Sequence, residues 1–188
     1  MWSRRQVLQG LGGGCAAAVL PSVAWGTTAR AVTLPELVGL SQFALAGTPT
    51  DAYSRWETVG SSRRIVTYVR LEVSQPIDGR PPADSSLMIR TLGGQVGDIG
   101  QLVHGEARLT LDTPAVVFLS SDSDGVLGVT AMAQGHYPLR RESDGATRLL
   151  ASPDMPALVD VSGCAVQRLV RRTVAEAEHL VSEIMLPR

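Results

Sequence analysis

Residues 63–74 read RRIVTYVRLEVS, and their pattern indicates the class of fold. Apolar or β-branched side chains occupy the odd-numbered positions Ile65, Thr67, Val69, Leu71 and Val73, whereas Tyr68, Arg70, Glu72 and Ser74 are mostly polar. In an extended chain successive side chains point to opposite faces, so this alternation predicts a strand with one buried face. We therefore expect a half-buried antiparallel strand here, and a fold built on a sheet.

The segments around this strand predict further strands joined by turns. Residues 75–86 contain several prolines and an Asp-Gly pair, which predicts a loop. Strands are expected over residues 87–92, 107–111, 115–120, 126–133, 137–141 and 147–151, with hairpin turns at 121–125 and 143–145. Residues 43–47 are expected to form a strand leading into a polar loop, and the glycine-rich residues 95–106 a bulged or edge strand.

Helical patterns flank this β-rich region. A Thr-Leu-Pro-Glu sequence from Thr33 has the spacing of a capping box, which predicts a short helix over residues 34–42. A longer apolar stripe at helical spacing covers residues 166–184, and we expect one continuous helix that Ser162 caps. Its basic residues lie early and its acidic residues late, against the helix dipole, so tertiary packing must stabilise it.

The order of these elements predicts a mainly β (α+β) protein. About six to eight short strands favour a small antiparallel OB-like barrel or sandwich, with a short N-terminal helix and a long C-terminal amphipathic helix. Strands and helices do not alternate, so a nucleotide-binding α/β fold is not expected.

The N-terminus has the layout of an export signal. It reads MWSRRQVLQ, followed by an apolar run rich in Gly and Ala and then by small residues, which is typical of a secretory signal peptide. Ser3, Arg4 and Arg5, with Val7 and Leu8 after them, resemble the twin-arginine signal, whose pattern prefers Phe and Lys where this chain has Val7 and Gln9. An ordinary signal peptide with two arginines is the alternative.

Small residues place the expected cleavage after Ala24 or after Gly26. The predicted organisation is a signal peptide over 1–26, a β-rich domain over 27–160 and a C-terminal helix packed on that domain over 161–188. The apolar run is too short and too rich in glycine for a good membrane span, so no stable span is expected after cleavage. We expect a periplasmic or secreted protein that is folded before it crosses the membrane.

The charge balance argues against one large class of partner. The 188 residues include 17 Lys+Arg and 18 Asp+Glu, for a formal net charge of -1. A nucleic-acid-binding domain needs a clear basic excess. Aromatic residues, at 4%, are also too sparse to predict a base-stacking groove. We therefore expect no nucleic-acid partner.

The sequence contains no strong catalytic or metal motif. The histidines His104, His136 and His179 do not form His-Glu-x-x-His, and His104 with Glu106 has the spacing of zinc deaminases without their Pro-Cys-x-x-Cys. The Asp-Ser-Asp-Gly sequence from Asp122 lacks the acidic twelfth ligand of a calcium loop and fits a hairpin turn. We expect no cofactor and no metal, and assign no catalytic residue.

Three residues, His136, Tyr137 and Cys164, form a speculative site for ligand binding or reactivity. His136 and Tyr137 end an Ala-Gln-Gly-His-Tyr sequence, whose polar and aromatic residues can line a site. Cys164 is the single cysteine left after cleavage, and it lies near the start of the predicted C-terminal helix, where backbone amides can lower the pKa of a thiol. Packing at a strand end and a buried, inert cysteine are the alternatives.

Short motifs along residues 33–140 resemble a broad group of exported bacterial β-rich proteins of uncharacterised function. They include LPELV at 34–38, RIVT at 64–67, IRTLGG at 89–94, VFL at 117–119 and AQG at 133–135. The resemblance implies a β fold and export, and implies no catalytic residues. The architecture is also similar to the OB-like domain of netrin-type protease inhibitors, which depend on an N-terminal cysteine and disulfides that are missing here.

Together these features favour an exported, non-catalytic binding or accessory module. Its expected partners are the twin-arginine export machinery and a protein of the envelope. The alternative is an envelope hydrolase or metal-dependent enzyme, which two histidines converging with a carboxylate in one cleft would favour. A structural envelope protein would instead present a large exposed apolar patch.

Overall fold

The protein is mainly β, as the alternating segments predict. The computed structural model describes residues 28–78, 80 and 82–186. Strands account for 46% and helices for 18% of these described residues. The strands are β1 (Thr28–Arg30), β2 (Phe43–Val59), β3 (Ser62–Pro76), β4 (Ser86–Leu92), β5 (Gly94–Val96), β6 (Ile99–Gln101), β7 (Ala115–Ser121), β8 (Leu127–Val129), β9 (His136–Arg141), β10 (Thr147–Leu149) and β11 (Ala157–Val159). The helices are α1 (Leu34–Leu40), α2 (Ala165–Leu169) and α3 (Val174–Met185), and Met132–Gly135 form a 3-10 turn.

A long antiparallel ribbon of β2 and β3 forms the centre of a seven-stranded sheet. The strand order is β10-β9-β7-β2-β3-β4-β8. β8 also pairs with β7 in antiparallel direction, and it meets β4 in parallel through the single pair Ile89 and Leu127. The strands β7, β2, β3, β4 and β8 therefore close on one another, and we call them the five-stranded ring.

The ring separates two apolar cores. One core consists of buried side chains from its strands and from the segment before β7: Leu45, Val69, Leu71, Ile89, Leu109, Ala115, Val117 and Leu119. The other core lies on the opposite face of β2 and β7, where Ala44, Val116, Phe118 and Tyr137 pack against the helices. The antiparallel strand predicted over residues 63–74 is confirmed as part of β3, and Ile65, Val69 and Leu71 of its predicted inner face are buried. The prediction of one buried face is wrong for its first half, because Val66 and Tyr68 on the opposite face are buried as well.

The predicted N-terminal helix is confirmed as α1. Thr33 Oγ1 accepts a hydrogen bond from the Glu36 amide at 3.3 Å, and Glu36 Oε2 accepts one from the Thr33 amide at 2.8 Å, which completes the capping box. Leu34, Leu37 and Val38 are buried in the core between the helices and the face of β2 and β7.

The single long C-terminal helix that we predicted is wrong. Cys164, not Ser162, is the N-cap of the five-residue α2, and the chain leaves helical geometry at Val170 before α3 begins at Val174. Arg171 has a φ of 71°, and its amide bonds to the Leu149 carbonyl, so this break pairs with β10. The break also removes the expected conflict between the acidic residues and the helix dipole. Glu176 now lies in the first turn of α3, where the dipole favours a negative charge.

Three strand predictions also need correction. The polar loop predicted after residue 47 is instead the rest of β2, as far as Val59, because these residues pair with β3 although most of their side chains are exposed. Residues 107–111, predicted as a strand, form none, because the Arg108 amide donates to the Asp154 carboxylate. The strand predicted over 126–133 ends at Val129, since Ala131 and Met132 have positive φ.

In the part of the chain that the structure describes, no helix is both long and apolar enough to cross a membrane.

Candidate functional site

The residues predicted for export lie outside the described residues. They are Ser3, Arg4, Arg5, Val7 and Leu8 of the signal, and Ala24 and Gly26 at the cleavage sites. The described part of the chain bears on the speculative site alone.

Tyr137 and Cys164, two residues of that speculative site, belong to the protein interior. The Tyr137 ring packs edge-on against Phe118, with ring centroids 6.1 Å apart, and its hydroxyl finds no hydrogen-bond partner among the described residues. Burial, together with the nearby Cys164 thiol, raises the pKa of Tyr137. The Cys164 thiol is 2% exposed, which supports the inert alternative.

His136 is also buried, at 3% exposure, but it connects to a surface feature. Its Nδ1 lies 3.1 Å from the hydroxyl of Ser152, which follows 16 residues later. Burial lowers the pKa of His136 to about 4, while the Asp154 carboxylate acts in the opposite direction. The imidazole is therefore neutral at physiological pH.

A cleft of about 320 Å³ lies between residues 102–108 and residues 153–157. Apolar walls come from Leu102, Val103, Pro153, Met155 and Pro156, and the polar side chains at the cleft are His104, Arg108 and Asp154. The long connection between β6 and β7 supplies one wall, and the segment between β10 and β11 supplies the other.

The polar wall of the cleft is fixed by a chain of hydrogen bonds. Arg108 donates from its backbone amide to Asp154 Oδ2 at 2.9 Å and from Nε to Oδ1 at 2.6 Å. The Asp154 amide in turn donates to Ser152 Oγ at 3.3 Å, and Ser152 bonds to His136. Because the Asp154 side chain is only 7% exposed, this chain anchors an exposed arginine to the interior.

Glu106 is the unusual carboxylate of this region. It follows His104 and Gly105 on the cleft wall but is itself buried, and burial raises its pKa to about 7 although a hydrogen bond from the Leu92 backbone lowers it. A smaller recess of about 150 Å³ shares Leu102 and Arg108 with the cleft and reaches Leu92. Glu106 itself lines neither recess, but its sequence neighbours His104 and Gly105 line the cleft and its backbone partner Leu92 lines the smaller recess.

The other candidate chemistry does not converge on the cleft. His179 is on α3, 3.7 Å from Glu183, and His136 lies behind the cleft wall, so only His104 lines the cleft itself. Within residues 28–78, 80 and 82–186, no three His, Cys, Asp or Glu side chains are placed to hold a metal ion.

No protein-family model, curated protein or solved structure matches this chain. Function must therefore be inferred from the geometry of the cleft. Sequence patterns identified His136 but not its partners, because Ser152, Asp154 and Arg108 belong to irregular segments without a recognisable motif.

A second polar cluster lies on the outside of the ring. The Arg90 guanidinium, buried to 7% exposure, bonds both Glu57 of β2 and Asp122 of the turn after β7. Arg55 Nη2 and the Tyr68 hydroxyl also donate to Glu57, at 2.7 and 2.9 Å. Asp122 accepts amide bonds within its turn, so the predicted hairpin turn is confirmed. This cluster ties ring strands together.

Proposed function

We propose that this protein is an exported, non-catalytic binding module that acts in the periplasm or outside the cell after twin-arginine export. One observation carries the binding role, namely the cleft between residues 102–108 and 153–157. Ligand sites are concave and mostly apolar, with a few fixed polar groups that orient the ligand. The cleft fits this description, since its apolar walls surround one ion pair and one imidazole.

The polar groups of the cleft indicate the class of ligand. Arg108 neutralises Asp154 through Nε and Nη2, and its side chain stays 69% exposed, so further guanidinium N–H groups point to solvent. The ligand that suits this site has an apolar part for the walls and a carboxylate or carbonyl oxygen for Arg108. A segment of an envelope protein offers both.

The pair formed by Ser152 and His136 has the residue types of a hydrolase, but its position supports a structural role. A nucleophilic serine must reach the substrate, with its base in hydrogen-bond contact. Ser152 and His136 are each 3% exposed, and the serine oxygen already accepts the Asp154 amide. These contacts suit a pair that holds Asp154 in place.

We further propose that the five-stranded ring is an OB-like barrel, related to the exported β-rich group that the sequence resembles. An OB fold is a five-stranded, partly open Greek-key barrel. The antiparallel succession β2, β3 and β4, the parallel contact of β4 with β8, and the return of β7 to β2 support this interpretation.

Native mass spectrometry of the protein purified from the bacterial cell envelope tests the proposal. We expect a chain cut after Ala24 or Gly26 that retains a non-covalent ligand. Arg108→Ala should lose that ligand, whereas Arg140→Ala, which removes an exposed arginine outside the cleft, should keep it.

Three outcomes would contradict the proposal. An uncut chain in the cytoplasm, unchanged by Arg4→Lys with Arg5→Lys, would rule out the export signal. Equal ligand retention by both arginine variants would remove the cleft as the binding site. Turnover of ester or peptide substrates that Ser152→Ala abolishes would replace the binding role with a hydrolase.

A further inference from the structure

The second half of β2 has one open edge. β7 covers only Phe43–Gly47 of β2, and the Pro49 carbonyl accepts the Asp112 amide. From Asp51 to Val59, β2 pairs without a register shift with β3 on one side, and no described residue pairs with the other side. A regular open edge of this length is a template for another strand.

The hairpin register determines which backbone groups face outward. Val59 pairs with Ser62 across a two-residue turn, so the odd-numbered residues of β2 exchange hydrogen bonds with β3. The N–H and C=O groups of the even-numbered residues Ala52, Ser54, Trp56 and Thr58 therefore point to the open edge. Only antiparallel pairings that place even-numbered residues opposite one another give these N–H and C=O groups hydrogen-bond partners.

We propose that two copies of this chain pair through this edge in antiparallel direction, with Trp56 of one copy opposite Trp56 of the other. In that register Arg55 of each copy faces Glu57 of the other, so the ion pair that these two residues already form within each chain becomes part of a network of four alternating charges. Opposite charges across neighbouring strands stabilise the pairing, and like charges oppose it. The flanking pairs are Ser54 with Thr58, which have short hydroxyl side chains, and Tyr53 with Val59.

The neighbouring registers are excluded by charge. Centring the two-fold axis on Arg55 would place Arg55 opposite itself, and centring it on Glu57 would place Glu57 opposite itself. Centring it on Ser54 would place Asp51 opposite Glu57. Centring it on Tyr53 would pair Asp51 with Arg55, but residues 57–59 of one copy would then lie alongside residues 47–49 of the other, where β7 and the Asp112 amide already pair. Of the registers centred from Tyr53 to Glu57, the one centred on Trp56 therefore pairs opposite charges along an open edge. This self-complementarity is why we assign the edge to a second copy and not to an unrelated peptide.

The side chains at the centre of this pairing are suited to an interface. Trp56 is 37% exposed, and the Arg63 guanidinium lies 5.2 Å from its ring centroid. Tyr53 is 48% exposed and stacks on Tyr68 with a centroid distance of 5.5 Å. Exposed aromatic residues with arginine are enriched in protein interfaces.

A single-cysteine scan tests the register. In a chain with Cys15→Ser, Trp56→Cys should form a disulfide between copies on mild oxidation, because facing hydrogen-bonded residues have Cα atoms about 5.5 Å apart. Ser54→Cys and Arg55→Cys should not, since neither residue faces itself, and the native Cys164 is buried. Cross-linking at position 54 or 55 but not 56 would overturn the proposed register.

Sedimentation equilibrium over a range of protein concentrations tests the association itself. Thr58→Pro removes the outward N–H from both symmetric Ser54–Thr58 pairs, so the dimer dissociation constant should rise about tenfold or more. Thr58→Val keeps the N–H and should change it less than about twofold. Circular dichroism verifies that each variant is folded. A wild-type chain that stays monomeric at every concentration, or equal dissociation constants for both variants, would overturn the proposal.

Discussion

Glu106 and His136 are buried titratable residues whose effects on stability have opposite signs. Burial raises the pKa of Glu106 from 4.5 to about 7, so its contribution to stability is lost as the pH rises from 4.5 through 7. Burial lowers the pKa of His136 from 6.5 to about 4, so its contribution is lost as the pH falls from 6.5 through 4. Between pH 4.5 and 6.5 the two effects oppose each other and flatten the stability profile.

Glu106→Gln should separate these two effects. A rise in the pKa of Glu106 from 4.5 to about 7 lowers the unfolding free energy at pH 8 by at most about 3 kcal/mol. The amide of Glu106→Gln carries no charge and should restore this loss. The variant should then lose stability steadily from pH 6.5 to 4.5, because His136 acts alone. Urea unfolding between pH 4.5 and 8 measures this, with the exposed Glu178→Gln as control. A variant profile parallel to that of the wild type would contradict the assignment.

The Tyr137 hydroxyl is buried without a hydrogen-bond partner in the described residues. Tyr137→Phe keeps the packing against Phe118 and removes the cost of an unpaired polar group, so the unfolding free energy should rise by about 1 kcal/mol. Tyr68→Phe is the matched control, since that hydroxyl donates to Glu57 at 2.9 Å and its loss should lower stability. Equal destabilisation by both variants would mean that the Tyr137 hydroxyl is satisfied.

The boundary between α2 and α3 depends on a second capping box. Thr173 Oγ1 accepts the Glu176 amide at 3.3 Å, and Glu176 Oε2 accepts the Thr173 amide at 2.7 Å. Thr173→Ala should lower the unfolding free energy by about 1 kcal/mol. Ser182→Ala in the same helix should cost less than about 0.5 kcal/mol. Hydrogen exchange that leaves the first turn of α3 equally protected in Thr173→Ala would argue against this cap.

Local sequence patterns mislead where a helix is interrupted and where a strand is exposed on both faces. The Thr33 and Thr173 boxes share one pattern, yet only the first predicts a helix start, because the second interrupts an apolar stripe that continues through both helices. Period-two alternation identifies β3 because its odd-numbered positions are apolar or β-branched, although Val66 and Tyr68 on the other face are also buried. The second half of β2 lacked that contrast, since most of its side chains are exposed and only pairing with β3 makes it a strand.

At the scale of the whole molecule, the sequence predicts the types of its elements better than the closure of the five-stranded ring. The mainly β class and the outer helices follow from local periodicity. Closure of the ring depends on the contact of Ile89 with Leu127, whose strands are separated along the chain by β5, β6 and β7. The cleft is equally non-local, because Arg108 bonds Asp154, which is 46 residues away, and His136 of β9 bonds Ser152 in the segment after β10. No local sequence pattern encodes such long-range contacts.

Arg90 connects several parts of the closed ring on its outer side. It lies on β4 opposite Tyr68 of β3, and it bonds Glu57 of β2 and Asp122 of the turn between β7 and β8. Arg90→Met leaves both carboxylates without this partner and should lower the unfolding free energy by about 3 kcal/mol.

The loss in Arg90→Met should be concentrated where the ring closes. Because β8 meets β4 through one residue pair, the amides of Leu127–Val129 should exchange faster in Arg90→Met than global unfolding accounts for. Arg90→Lys should recover only part of the stability, since one ammonium group does not reproduce a guanidinium that bridges two carboxylates. Arg70→Met, an exposed arginine on the neighbouring strand, should change stability by less than about 0.5 kcal/mol. If exchange in β8 follows global stability in all three variants, closure of the ring depends on backbone pairing alone and not on Arg90.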